Sequence, residues 1–276
     1  MTAARTKGFK DHFSALADAY SAHRPSYPRA LAAWLAKLSP ARDLAWDCGC
    51  GSGQLSALLA GFFDCVIATD ASAEQLSRAA AHPKVRYRQA RAEASGLPIG
   101  CADLIVAAQA AHWFDLPGFY SEVRRVGKPG GVVALITYGA PRVNARVDEA
   151  VARFYHETLQ PYWPAERRHV EDGYRSLPFP FEEITAPCLA IRLKWRLAEL
   201  LGYIDTWSAT ARLEKACGRD PILEFHQTVG HAWGPVSTAR VVHWPLAMRV
   251  GRLRPRRLPS ASASGLARRR RTNRFV

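Results

Sequence analysis

The chain has 276 residues, 48% of them hydrophobic, and a formal net charge of +14 at pH 7. That length can bury a sizeable core as one domain or as a domain with a small second lobe, so it needs no disulfide or metal staples. Cys48, Cys50, Cys65, Cys101, Cys188 and Cys217 lack the paired Cys-x-x-Cys spacing of a structural zinc site and are expected to be reduced thiols, with no metal. The N-terminal MTAARTKGFKDHFSALADAY has no apolar h-region, and no stretch of about 18 uncharged apolar residues occurs, so a soluble, cytoplasmic protein without a membrane partner is expected. A basic surface offers phosphate affinity. Here, however, eight arginines and no acid lie between Leu253 and Val276, and removing them from the +14 leaves +6. A nucleic-acid partner is therefore the second reading, and the Arg, Ser, Ala and Pro composition of 253–276 predicts a disordered tail.

The apolar spacing predicts helices over Phe9–Tyr20 and Pro28–Leu38, separated by the breaker-rich HRPSYP. Leu44–Cys48 reads as a short buried strand. It runs into a glycine turn and then a helix with Leu55, Leu58, Leu59 and Phe62 on one face. The alternation continues with strand Cys65–Thr69, helix Ser72–Ala81, strand Val85–Gln89, strand Leu104–Ala108, helix Phe119–Val126 and, after Lys128-Pro129-Gly130-Gly131, strand Val132–Thr137. Strands spaced by helices predict a doubly wound α/β fold, a mostly parallel sheet covered on both faces. Beyond Gly139 the pattern weakens: a helix over Ala145–Leu159, a strand over Leu189–Trp195, helices over Leu197–Trp207 and Ile222–His231, and one final strand over Ala239–Val250, expected to complete the sheet and cover the site.

The chemistry concentrates in Asp47-Cys48-Gly49-Cys50-Gly51-Ser52-Gly53. Gly49, Gly51 and Gly53, set between strand and helix, turn the chain tightly and let a ligand approach the backbone. The sixth place of the dinucleotide fingerprint needs Gly or Ala, but here it is Gln54, which argues against a nicotinamide cofactor. Asp47 sets negative charge where phosphates would come nearest and suits a cationic amino-acid ligand such as adenosylmethionine. Asp70 closes the next strand, where an acid accepts both ribose hydroxyls; its other reading is a helix cap, which Ser72 can supply instead. Cys48 and Cys50 read as small buried residues flanking the glycines.

The runs DCGCGSGQLS, IATDAS, ARAEASGLP, DLIVAAQAAHWFD and GKPGG resemble successive motifs of the class I S-adenosylmethionine-dependent methyltransferases, in the small-molecule (type 11) group that includes the ubiquinone and trans-aconitate enzymes. The resemblance covers roughly residues 10–140, with weaker echoes at YIDTWS and WPL. It implies a Rossmann-like, mostly parallel seven-stranded sheet with a mixed C-terminal portion. It also implies a domain over 1–252, divided into a helical cap (1–40), a cofactor core (41–140) and a substrate-side, sheet-completing part (141–252). The resemblance assigns Ala71, Ala92 and Glu93, or a nearby backbone group, to the ribose and adenine side, and Gln109 to the methionine part. Tyr20 and Arg24 would fold over the site from the entry segment, Arg24 pairing with a carboxylate. His112 and Trp113, beyond a strand's carboxyl end, are pocket-wall candidates, and His112 is the residue to test as an acid–base group. The expected reaction is methyl transfer to a small molecule, a carboxylate being one option. A nucleic-acid methyltransferase or binding protein, a nicotinamide-dependent oxidoreductase and an inert cofactor-binding protein are the rivals.

Overall fold

The computed structural model describes residues 25–254. The first half alternates helix α1 (Arg29–Leu38), strand β1 (Leu44–Cys48), α2 (Gln54–Leu59), β2 (Cys65–Asp70), α3 (Ala73–Ser77), β3 (Val85–Gln89), β4 (Ala102–Ala108), α4 (Leu116–Val126) and β5 (Gly127–Thr137). The second half contains α5 (Ala145–Arg153), α6 (Arg167–Glu171), β6 (Glu182–Ile184), β7 (Ala190–Trp195), α7 (Leu197–Asp205), α8 (Ser208–Cys217), α9 (Asp220–Trp233), β8 (Arg240–Pro245) and β9 (Ala247–Arg252).

Seven strands form one sheet in the order β3-β2-β1-β4-β5-β9-β6. Strands β1 to β5 are parallel, and β9 runs antiparallel to both β5 and β6. The fold is thus the expected Rossmann-like, mostly parallel sheet with a mixed end. In β4 the run Leu104-Ile105-Val106-Ala107 is wholly buried, because a parallel strand covered by helices has no wet face. Leu104 and Val106 meet α1 and α2 on one side, while Ile105 and Ala107 meet Phe119, Val123 and Val126 of α4 on the other. The strand order reverses between β1 and β4, which opens a crevice beyond their carboxyl ends, the usual ligand position in such sheets.

The remaining elements form a cap with its own core. Strands β7 and β8 make a separate two-stranded ribbon. Around it gather Val147, Leu200, Tyr203, Trp207, Phe225, Trp233 and Trp244, all buried. The expected single strand over 239–250 is therefore two strands in two sheets. Pro245 has no N–H for a continuing ladder, and the chain changes sheets at Leu246, whose N–H bonds Leu189 O at 2.9 Å. The strand expected at 189–195 likewise joins the ribbon rather than the sheet; β6 and β9 complete the sheet instead.

Two helices also differ from expectation. The helix expected over 72–81 ends at Ser77, whose hydroxyl takes Glu74 O at 2.8 Å, the carbonyl that Arg78 N–H would have used. The helix over 145–159 changes at Phe154 to π geometry through Thr158, closed by Leu159 N–H to Phe154 O at 2.9 Å. The helix Phe9–Tyr20 and almost all of the 253–276 tail lie outside the described residues. Among the described residues no helix is long and apolar enough to cross a membrane.

Candidate active site

The glycine turn sits at the end of β1, beside the reversal in strand order. All three glycines have left-handed φ (+69°, +56° and +84° at 49, 51 and 53), a region that penalises any side chain. Their surroundings differ. A Cβ on Gly49 would come within 2.5 Å of Ala110 Cβ, and one on Gly53 within 2.3 Å of the Tyr87 hydroxyl, so both serve close packing. A Cβ on Gly51 would find nothing nearer than Gln75 Oε1 at 3.8 Å, so this is the glycine that faces open space. Next to the turn, Ser52 Oγ and Tyr87 Oη are buried without a hydrogen-bond partner.

Two carboxylates anchor this turn. Asp47 is buried beneath it and accepts a 2.6 Å bond from Ser56 Oγ of α2. Burial first, and then the negative charge of Asp70, push its carboxyl up from 3.8 to about 7. Asp70 accepts from Gly51 N–H at 2.8 Å through one oxygen and from Ser72 N–H at 2.9 Å through the other. Ser72 provides the α3 cap, its Oγ accepting from Gln75 N–H at 3.2 Å. Ala71 O holds Gln89 Nε2 at 3.0 Å, and Ala92 is buried. Glu93 is occupied: one oxygen accepts Asp115 N–H at 2.9 Å at the start of α4, and the other pairs with Arg91 Nε at 3.1 Å. Cys48 and Cys50 are buried, and desolvation pushes both thiols well up, which favours their neutral form.

Facing these, beyond the ends of β4 and β5, is a polar cluster that the sequence pattern largely concealed. Gln109 has φ +55°, and its side chain folds back: Thr137 Oγ1 donates to its Oε1 at 2.9 Å, and its Nε2 donates to Tyr138 O at 2.8 Å. The side-chain amide is thereby held against β5, with one Nε2 hydrogen outside these two bonds. Tyr174, at φ +64°, is the other non-glycine residue in the left-handed region among the described residues, and its hydroxyl lies 2.8 Å from His112 Nδ1. Left-handed backbone in bulky residues is costly and tends to collect at functional sites. Here Thr137 touches both of them.

Burial, aided by the charge of Arg167 and by His169, lowers His112 from 6.5 to about 3, so its imidazole is neutral. The Tyr174 phenol is fully buried, and that burial holds it protonated despite nearby Thr137 and the backbone N–H groups of His112 and Ala111. Nδ1 of His112 and the Tyr174 hydroxyl thus share one hydrogen bond, which occupies that ring nitrogen. Trp113 lies beside it, ring centroids 4.8 Å apart. Tyr20 and Arg24 lie outside the described residues. No spacing signal marked Tyr174 or Thr137, because the fold alone brings them to His112. Among the described residues no group of three or more His, Cys, Asp or Glu side chains is arranged to hold a metal.

A strand-end glycine turn with two acids, at the switch point of a seven-stranded sheet with an antiparallel edge, defines a nucleoside-binding transferase scaffold. Comparison with known proteins gives the class. Residues 46–135 match the family model described as a methyltransferase domain. A Dictyostelium discoideum protein named as a methyltransferase is 34% identical over 229 residues, covering 82% of this chain and 87% of its own. A Saccharomyces cerevisiae protein named as S-adenosylmethionine-dependent is 29% identical over 131 residues, covering 44% of this chain and 45% of its own. A structure from Anaeromyxobacter dehalogenans, titled as a type II methyltransferase, superposes with a TM-score of 0.80 at 50% identity and covers 84% of this chain and 99% of its own. The chain belongs to the class I S-adenosylmethionine-dependent methyltransferases. The oxidoreductase alternative is thereby set aside.

Proposed function

We propose that this chain transfers the methyl group of S-adenosylmethionine to a small-molecule acceptor that arrives already able to attack, a carboxylate foremost. The cofactor supplies a methyl group activated on a sulfonium. Gly51, the glycine with open space above it, and the backbone of the turn would receive it. Asp70, at the end of β2 and bonded to the Gly51 N–H, would meet the ribose hydroxyls, Ala71 and Ala92 would border the adenine, and the Gln109 backbone would meet the methionine part. Asp47, a buried acid, suits a cationic ligand. Glu93 is better described as a strut between Arg91 and the start of α4 than as an adenine contact.

The observation that carries the acceptor reading is the Tyr174–His112 pair. A buried, neutral imidazole whose Nδ1 is already bonded to a phenol is a poor base at neutral pH. Such a site orients and desolvates an acceptor rather than deprotonating it, which suits a carboxylate. Calorimetric titration with S-adenosylhomocysteine, paired with transfer of labelled methyl to panels of carboxylates, phenols and amines, tests this. Micromolar binding lost in Asp70→Ala, with carboxylates as the labelled products, is the expected outcome; labelling confined to amines or phenols would overturn it.

A further inference from the structure

Arg167 opens α6 and lies in the cap beside the pocket wall. Its Nε donates to the Tyr155 hydroxyl at 2.6 Å, and its guanidinium lies 4.8 Å from the Trp163 ring and 5.5 Å from the Tyr155 ring. Both rings are themselves fixed. Tyr155 is buried within the π-helical turn, Trp163 Nε1 donates to Tyr155 O at 3.2 Å, and Trp207 packs against both at centroid distances of 5.5 and 5.7 Å. Single π turns often mark functional positions, and here the π geometry sets the direction of Tyr155.

The cation is clamped through one nitrogen and one face, and among the described residues no carboxylate lies within ion-pair distance of it. Glu171 reaches the same Tyr155 hydroxyl, but its side chain is exposed and forms no salt bridge with Arg167. Helix α6 packs against the turn 111–113 that carries His112, and its His169 O accepts the Tyr174 N–H at 2.7 Å, which sets Arg167 on the same side of the site as the Tyr174–His112 pair. A guanidinium keeps the terminal N–H pair of its fork available when only Nε is engaged, and that pair matches the two oxygens of a carboxylate.

We infer that Arg167, clamped by Tyr155 and Trp163 on the helix that packs against the His112 turn, is the residue that recognises a carboxylate of the methyl acceptor. This rests on the carboxylate reading above and names the side chain that enforces it. The aromatic clamp removes rotamer freedom from the arginine before the acceptor binds, so less entropy is lost on contact. Trp163 stacks on the same guanidinium and so reports its occupancy.

The test uses the full chain with S-adenosylhomocysteine bound. Tryptophan emission is followed while benzoate, citrate or trans-aconitate is added, with benzamide as the neutral control. A saturable change with at least one carboxylate and none with benzamide is expected. Arg167→Gln should weaken that carboxylate at least tenfold, Arg167→Lys should recover part of the loss, and Glu171→Gln should leave affinity unchanged or tighten it. S-adenosylhomocysteine affinity should stay within threefold in all three variants, which also shows that they fold. Absence of saturable carboxylate binding by the wild type, or equal binding by Arg167→Gln, overturns the assignment. A wild type that binds no S-adenosylhomocysteine instead defeats the methyltransferase reading of the site, a separate failure.

Discussion

The sheet half and the cap half of this molecule are built from different kinds of contact, and they divide the work accordingly. In the sheet half, aliphatic strands are held by parallel ladders, and close packing at Gly49 against Ala110 and at Gly53 against Tyr87 leaves the turn no room for a side chain there. In the cap, large rings do the packing: Phe154 stacks on Phe225 at 3.9 Å, and Trp195, Tyr203 and Trp244 meet edge to face. Rigid aliphatic layers suit a cofactor that never changes. In the aromatic cap the direction of a residue such as Arg167 is set by the rings around it, none of which belongs to the glycine turn.

The most severe test of this division is Trp233→Ala, which removes a fully buried ring from the cap and should cost about 3–5 kcal/mol. Chemical denaturation should show the loss, while S-adenosylhomocysteine affinity in native buffer stays within threefold; a matching collapse of cofactor affinity would break the separation. Gly51→Val comes next. A β-branched residue at φ +56° in the open part of the turn should weaken S-adenosylhomocysteine at least 100-fold, about 2.7 kcal/mol, by calorimetry.

Third, pH separates the two halves. Asp47 is raised from 3.8 to about 7 in the folded protein, so the fold binds the extra proton between those values, and stability falls as pH rises through that window. His112 is lowered from 6.5 to about 3, so the unfolded chain binds the extra proton, and stability rises with pH between 3 and 6.5. The two slopes oppose each other between about 4 and 6.5. Urea midpoints should therefore fall only modestly with pH there in the wild type, rise in Asp47→Asn and fall more steeply in His112→Gln. The Asp47 share is roughly 2–4 kcal/mol, and that of the partly exposed His112 is smaller. Fourth, Tyr174→Phe should cost about 1–3 kcal/mol through the imidazole nitrogen and backbone donors it leaves unpaired, lowering turnover while cofactor affinity stays within threefold.

The legible parts of the sequence were those governed by local rules. The strand, turn and helix around Asp47–Gly53 obey a short-range pattern, as do Ser72 as a cap and Asp70 at a strand end, and the model places them as expected. Beyond Gly139 two neighbouring strands belong to different sheets, and no local period can say which partner an apolar strand will choose. The sequence pattern therefore read 239–250 as one strand. Gln109 and Glu93 were recognised by position, but their side chains bond to Thr137, Tyr138, Asp115 and Arg91, partners distant in sequence or set by loop geometry. Tyr174 and Arg167 carried no signal because each gains its meaning from residues such as His112 and Tyr155, which only the folded chain brings near.

The change of sheets at Leu246 has a mechanical side. Ala247, the first residue after it, pairs with Thr137, the residue that holds Gln109 in its left-handed bend. The loop after β5 is tied to the ribbon as well, Arg142 and His243 exchanging a pair of 2.9 Å bonds. The ribbon is thus joined to the end of β5 at two points, through β9 and through this loop. A shift of the ribbon would therefore be felt at Thr137, and with it at the bend of Gln109.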